Sequence, residues 1–539
     1  MKSPALHRND QSRPARRRHR AGRFRPTRRL TIRALAAGTL IAALAPVTAA
    51  ADASERSAPP AAISWAACGT QLECARVPVP LDWARHGGRM ITLSVIRHLA
   101  SHPDQRVGSL FVNPGGPGDS GVGAVASQGE ALDAITGGRF DVVGWDPRGS
   151  GGSTPVSCFA SSGEREAFWQ GMPVPTTRQD EQRYLAKSVA LAQRCGARNG
   201  DLLAHISTAD TARDLDYLRG LVGDSRLTFY GESTGSFLGE TYANLFPDRV
   251  RAMALDGVED PVSYAADLAT LLASVLTATD QVFHEFLKLC ERVGPARCAL
   301  AGHGPVDKRV EEMLRQMRHH PVPAPAAEPP GELTYGEALT LLKLAMLPVP
   351  ALWPDAAGVL DAAAQGDASA AETIAIGSEA EPFHRAFEQN TALLCADSPA
   401  RQNARQWPQV VHRLEGVSRI GGPVMGWLEA ACAAWPTRSA DRYTGPWNAA
   451  TANPILLIGT RFDPTTPLAN AQVTERRLGN AVLLTHDGYG HISQADPSTC
   501  VNQALGRYLV ALSTPARGTI CPSDHAPFDP DFGQGPAAR

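Results

Sequence analysis

The 539-residue chain has no apolar run of the roughly 20 residues that a permanent membrane-spanning helix needs. Its ten cysteines include no CxxC pair and no zinc-type spacing, which argues against a zinc site built on them. An excess of either charge also seems absent at first, since 52 Lys and Arg face 54 Asp and Glu. That balance comes from one segment. Of those charged residues, twelve basic ones (Lys2 and eleven arginines) and one acid (Asp10) lie in residues 1–33, so 40 basic and 53 acidic residues remain beyond it. The rest of the chain is therefore acidic, about −13 in formal charge, which argues against a nucleic-acid or anionic-membrane partner.

The basic segment is followed by the Ala- and Leu-rich run Ala34–Val47 and then Thr48-Ala49-Ala50-Ala51. A charged stretch, a short apolar stretch and small residues are the three parts of an export signal, so residues 1–51 are read as a signal peptide and the protein as secreted. Thr27-Arg28-Arg29-Leu30 carries twin arginines, but the residues after them depart from the usual bulky pair, so the export route stays open. An even number of cysteines behind a signal peptide reads as disulfides: Cys68, Cys74, Cys158, Cys195, Cys290, Cys298, Cys395, Cys432, Cys500 and Cys521. Sequence does not determine connectivity; pairing neighbours in order would close short and medium loops and keep each bridge within one structural unit.

The stretch Leu227–Gly239, LTFYGESTGSFLG, organises the rest. A short apolar and aromatic run leads into Gly231-Glu232-Ser233-Thr234-Gly235, which fits G-x-S-x-G, and a helical pattern follows. A turn that tight leaves no room for side chains at its flanks, so glycine is expected at 231 and 235 while Ser233 is displayed above the sheet. Earlier, the apolar run Gly108–Asn113 enters Pro114-Gly115-Gly116-Pro117-Gly118-Asp119-Ser120-Gly121, whose glycines leave backbone N–H groups able to approach a ligand, as an oxyanion hole requires. Gly118-Asp119-Ser120-Gly121 imitates the nucleophile motif of trypsin-like proteases, but those are all-β and Ser120 lacks the strand-to-helix turn. After Phe140–Trp145, Asp146 and Arg148 are expected to pair and brace this loop.

Recurring strand, glycine turn and helix imply a mostly parallel sheet with covering helices, flanked at the start by antiparallel strands in Ile63–Trp83 and Ile91–His98. The core is expected over 52–261 and 451–539, interrupted at 262–450 by a helical cap insertion lying over the carboxyl ends of the strands. Trp353, Trp407, Trp427 and Trp435 in that insertion read as core residues. Pro454–Gly459 resumes the sheet and ends at Asp463 in TRFDPTTP, and Ala481–Thr485 leads to His491 in DGYGH. Ser, Asp, His in that chain order is the order of α/β-hydrolases: Ser233 as nucleophile, His491 as base, Asp463 as the acid that orients it. Asp256 and Asp260, after Val250–Leu255, are the alternative acids.

NPGGPG at 113–118, DPRGSGGS at 146–153, GESTG at 231–235, LDGVEDP at 255–261, LLCADSP and ACAAWP around Cys395 and Cys432, TRFDPTTP and GYGH together resemble the secreted tripeptidyl-aminopeptidase family of α/β-hydrolases. The likeness runs over nearly all of the chain beyond the signal, including the tail around Cys500 and Cys521. It is similar to prolyl iminopeptidases in the GGPG loop and capped architecture, and some members are described as esterases. The resemblance implies Ser233, Asp463 and His491 as the catalytic residues, with the Gly115/Gly116 loop and the Thr234 backbone as oxyanion donors and no cofactor or metal. Thr234 departs from the family, where aromatic residues are commoner, which bears on substrate preference rather than chemistry. The expected enzyme is a monomeric serine hydrolase taking a peptide or an ester. A secreted binding protein on an inactive scaffold is disfavoured because no member of the triad is missing. An exopeptidase acting from the amino end must also meet a free ammonium with a carboxylate, for which Glu259, Asp260, Glu379, Glu381 and Glu388 are candidates.

Overall fold

The computed structural model describes residues 62–530 except 86, 171–173, 348–351, 379–380 and 440; the predicted signal peptide at 1–51 and Glu379 lie outside the described residues. Twelve strands are named in chain order: β1 (Ala66–Gly69), β2 (Leu72–Pro80), β3 (Met90–His98), β4 (Gly108–Asn113), β5 (Phe140–Trp145), β6 (Leu227–Glu232), β7 (Val250–Asp256), β8 (Val322–Ala324), β9 (Gly331–Leu333), β10 (Ile455–Phe462), β11 (Ala481–Tyr489) and β12 (Ile520–Pro522). Ten of them make one sheet in the order β1-β2-β3-β5-β4-β6-β7-β10-β11-β12. The β1, β2 and β3 strands are antiparallel, and from β5 onward every pair is parallel. This is the α/β-hydrolase architecture expected from the alternating pattern.

The central strands β4, β5 and β6 are buried throughout because helices cover both faces. Successive side chains point to opposite faces, so each strand feeds two cores. Phe111, Phe229, Leu255 and Leu457 enter one core, packed by the helices Thr208–Leu221 and Thr234–Leu245. Leu110, Val112, Tyr230, Ala254 and Leu456 enter the other, packed by Gly121–Ile135 and Thr499–Ala511.

β7 pairs directly with β10, yet about two hundred residues separate them in sequence, and most of these are helical. Phe286, Leu339, Trp353 and Leu360 belong to a third core within this segment. The ribbon β8–β9 is an addition that sequence reading did not anticipate, formed around the Pro-rich stretch. Trp353, Trp407 and Trp427 are buried, and Trp435 packs against the core. The long segment meets the loops of the sheet at several points. Asn390 Nδ2 donates to Pro117 O (3.2 Å) and Gly151 N–H to Gln389 Oε1 (3.0 Å), while the His491 N–H donates to Leu347 O (3.1 Å).

All ten cysteines pair in sequence order: Cys68–Cys74, Cys158–Cys195, Cys290–Cys298, Cys395–Cys432 and Cys500–Cys521. Cys500–Cys521 ties the helix Thr499–Ala511 to β12, which closes the sheet. Among the described residues no helix is long and apolar enough to cross a membrane.

Candidate active site

The sheet register brings the key turns together. Asn113, the last residue of β4, lies opposite Gly231, and Glu232 lies opposite Asp256 at the end of β7. The glycine loop, the G-x-S-x-G turn and the start of the long helical segment therefore leave the sheet at one height. This is the carboxyl edge, where open parallel sheets hold their ligands.

Ser233 sits at φ 56° and ψ −126°, a left-handed conformation that costs a non-glycine residue of order 1–3 kcal/mol. Its surroundings hold it there: the Ser233 N–H donates to Asp256 O (2.9 Å), and Ser236 Oγ donates to Ser233 O (2.6 Å). The flanking glycines have a steric cause. A Cβ on Gly231 would lie 2.4 Å from Gly235 O, and one on Gly235 would lie 2.4 Å from Asn113 O. The elbow predicted from five letters is thus required by three backbones meeting closely.

A Cβ on Gly115 would lie 2.8 Å from Ser233 Cβ and 2.9 Å from Thr234 N, so its missing side chain lets the loop lie against the elbow. The Gly115 N–H is engaged by Asn113 Oδ1 (3.1 Å), whereas no acceptor meets the Gly116 N–H among the described residues. Thr234 is the first residue of the elbow helix, and its N–H is one of those without an intrahelical acceptor.

His491 Nδ1 lies 3.0 Å from both Asp463 Oδ1 and Asp463 Oδ2. The carboxylate is also met by the N–H groups of Thr465 (2.8 Å), Thr466 (2.8 Å) and Ile492 (3.2 Å) and by Thr466 Oγ1 (2.8 Å). Burial pushes the Asp463 carboxyl up, but the imidazole and these donors outweigh it and hold the pKa below the ordinary carboxylate value. For His491 burial acts downward, and Asp463 followed by Glu259 and Asp256 more than offset it, so the imidazole pKa is raised. No hydrogen bond joins Ser233 Oγ to the ring among the described residues; such contacts commonly tighten only when substrate is in place.

The alternative acids are engaged elsewhere. Asp256 accepts from Tyr230 OH (2.9 Å), the Ser493 N–H (3.0 Å) and Ser493 Oγ (2.5 Å), so it braces the segment after His491 without touching the ring. Asp260 caps the helix Pro261–Ala266 through the Val262 N–H (3.2 Å) and pairs with Arg477. Ser120 caps the helix Gly121–Ile135 and donates to Asp146 Oδ1 (2.6 Å), a structural duty that removes it as a nucleophile.

One expectation is corrected. Asp146 and Arg148 do not pair. Asp146 receives the Gly152 N–H (2.7 Å) besides Ser120, and so braces the glycine loop alone. Arg148 is fully buried and makes a bidentate pair with Asp214 (2.7 and 2.6 Å), its other N–H groups meeting the carbonyls of Pro80, Leu81 and His205.

Sequence reading missed Thr466, whose hydroxyl also lies 3.3 Å from His491 Nδ1, and Asn113, which anchors the glycine loop. Thr466 had a signal: an Asp accepting from N–H groups two and three residues on is an Asx turn, which D-P-T-T suits.

A family model described as "TAP-like protein" matches residues 418–521, and one described as "alpha/beta hydrolase fold" matches residues 108–295. The chain is 30% identical to "Tripeptidyl aminopeptidase" of Streptomyces coelicolor over 86% of either chain. It is 28% identical to "Serine protease Hip1" of Mycobacterium tuberculosis over 83% of this chain and 87% of the other. To "Carboxylesterase B" of M. tuberculosis it is 31% identical over 83% of this chain and 86% of the other.

Proposed function

The chain belongs to the tripeptidyl-aminopeptidase family of α/β-hydrolases and is a serine hydrolase; from that premise we propose that it is a secreted aminopeptidase releasing short peptides, tripeptides first among them, from free amino termini. The observation that carries the mechanism is His491 Nδ1 resting on both oxygens of Asp463, which leaves Nε2 as the basic nitrogen beside an elbow serine. Ser233 Oγ attacks the scissile carbonyl as His491 Nε2 takes its proton. The developing oxyanion is met by the N–H groups of Gly116 and Thr234, while Gly115 supplies the clearance that lets them converge. The tetrahedral intermediate collapses, the C–N bond breaks, and the imidazolium returns its proton to the leaving amine. Water activated by His491 then attacks the acyl-enzyme, which releases the peptide and restores Ser233. Throughout, Asp463 fixes the ring's tautomer and stabilises the imidazolium. The five disulfides support an oxidising compartment, in keeping with the signal expected at 1–51.

A carboxylesterase acting through the same three residues is the second reading, favoured by the identity to carboxylesterase B. A substrate panel separates them. A chromogenic tripeptide with a free amino end is expected to be cleaved well and its N-acetylated twin at least about tenfold worse, the least that losing a charge-assisted contact of about 1.5 kcal/mol entails. Equal rates on the two, or faster turnover of simple short-chain esters, would make the enzyme an esterase.

A further inference from the structure

An enzyme that selects free amino ends needs a carboxylate free to meet the ammonium, and the structure narrows the field of acids. Asp260 is held by Arg477 and by its own helix. Glu388 is held by Arg165 Nε (2.6 Å) and the Cys158 N–H (3.2 Å). Glu379 and the side chain of Glu381 lie outside the described residues. Glu259 differs from Asp260 and Glu388. It is 3% exposed, and its Oε2 has no hydrogen-bond partner.

Its backbone places it at the elbow. Ser236 Oγ donates to Ser233 O (2.6 Å) and accepts the Glu259 N–H (2.9 Å), so one hydroxyl links Glu259 to the strained turn that displays the nucleophile. Two residues earlier, a Cβ on Gly257 would lie 3.4 Å from His491 Cε1. Thr474 Oγ1 donates to Glu259 O (3.0 Å), which fastens the residue from behind. Glu259 is thus clamped through its N–H and its carbonyl beside the elbow turn and within electrostatic reach of His491, while one carboxyl oxygen is left bare. A buried carboxylate without a donor is costly unless a cation reaches it.

We infer that Glu259 is the substrate-binding residue that receives the α-ammonium of the peptide, so that the free amino end docks beside Ser233 and His491 against the segment following β7. This inference rests on the aminopeptidase reading and deepens it. An ammonium seated there gives Oε2 the charge-assisted partner it lacks. Burial raises the Glu259 carboxyl to about 8, a value that an arriving cation would lower, so docking and ionisation reinforce each other. Two further acids lie within electrostatic reach of His491: Glu232, also buried with a bare Oε1 but met by the Tyr230 hydroxyl, and Asp119, which is more exposed and whose carboxyl desolvation pushes up.

The test measures kcat and KM for free-amine and N-acetylated chromogens of one, two and three residues on the wild type and on the Glu259→Gln, Glu259→Asp, Glu232→Gln and Asp119→Asn variants. The wild type is expected to favour the free amine at least about tenfold. In Glu259→Gln that ratio should fall to near one, with KM carrying the change; Glu259→Asp, which keeps the charge at shorter reach, should be intermediate; Asp119→Asn should keep the wild-type ratio. The length of the best substrate reads the spacing from ammonium to scissile bond. If Glu259→Gln does not fold, Glu259→Asp decides, and an unchanged ratio there overturns the inference. A wild type that discriminates while Glu259→Gln discriminates equally overturns it and leaves the aminopeptidase reading standing, as does collapse of the ratio in Asp119→Asn or in Glu232→Gln instead. Equal loss of kcat on both substrates in Glu259→Gln would place Glu259 as an electrostatic support of His491, which also overturns it. A wild type with no preference sinks the aminopeptidase reading itself.

Discussion

Two groups of acids flank the elbow, and they behave in opposite ways. On the side of β10 and β11, Asp463 is buried yet surrounded by the N–H groups of Thr465, Thr466 and Ile492, the Thr466 hydroxyl and the His491 ring. On the side of β6 and β7, Glu232 and Glu259 are as deeply buried, and each keeps one oxygen without a partner. Burial raises both of these to about 8, whereas Asp463 is held below the ordinary value despite the same burial. Depth alone does not decide whether a carboxyl is charged: the charge of His491 together with the donors aimed at Asp463 outweighs its burial, whereas Asp256, with donors from Ser493 and Tyr230 but no such ring against it, stays raised to about 6. The acid that orients the imidazole is the one given both donors and the ring.

The largest expected effect tests that distinction directly. Asp463→Asn should leave the fold intact and lower kcat on the order of 10⁴, since the ring loses the carboxylate that sets its tautomer. Asp256→Asn should cost far less, because Asp256 supports Ser493 and Tyr230 instead of the ring. Reversal of that order would move the acid to the end of β7. Covalent labelling sharpens the same point: a sulfonyl fluoride should modify a peptide containing Ser233, and a label on Ser120 would overturn the nucleophile.

A smaller effect separates structural from chemical serines. Ser120→Ala removes a helix cap and the bond to Asp146, so it should lower stability by about 1 kcal/mol in denaturant unfolding and leave turnover in place.

The smallest and broadest effect is on stability against pH. Burial lifts Glu232 and Glu259 to about 8, Asp397 and Glu429 to about 7, and Asp256 and Asp496 to about 6. Each is therefore raised above its unfolded value near 4. The folded chain binds these protons more tightly, so the stability they contribute is whole below about pH 4 and is lost as pH rises through 6 to 8. His486, lowered by burial to about 4, acts the other way: its contribution is present above its unfolded value of about 6.5 and is lost as pH falls toward 4. With six acids against one histidine, Tm should be higher at pH 5.5 than at pH 8.5, and Glu232→Gln should flatten the slope. A Tm that rises steadily to pH 8.5 would mean that these acids are ionised in the fold.

Much of the machinery was readable without coordinates. G-E-S-T-G between an apolar run and a helical pattern, and Asp463 and His491 each just past a strand, are local signals, because a strand-to-helix turn leaves its glycines in fixed places. Asn113 carried no such mark, since its side chain matters only once β4 lies beside β6. Asp146 and Arg148 misled for a related reason: the partner of Arg148 comes from a helix sixty-six residues away.

The sequence by itself determined the order of strands and helices, the elbow and the three residues of the candidate triad, because backbone geometry and hydrophobic period are set within a few residues. Only the tertiary structure decided how the donors are set around Asp463, which glycine keeps a bare N–H, which cysteines join, and which carboxylates near the elbow are left with a bare oxygen. Those outcomes depend on how many donors reach one atom in a buried place, and the donors arrive from segments that are distant in the chain.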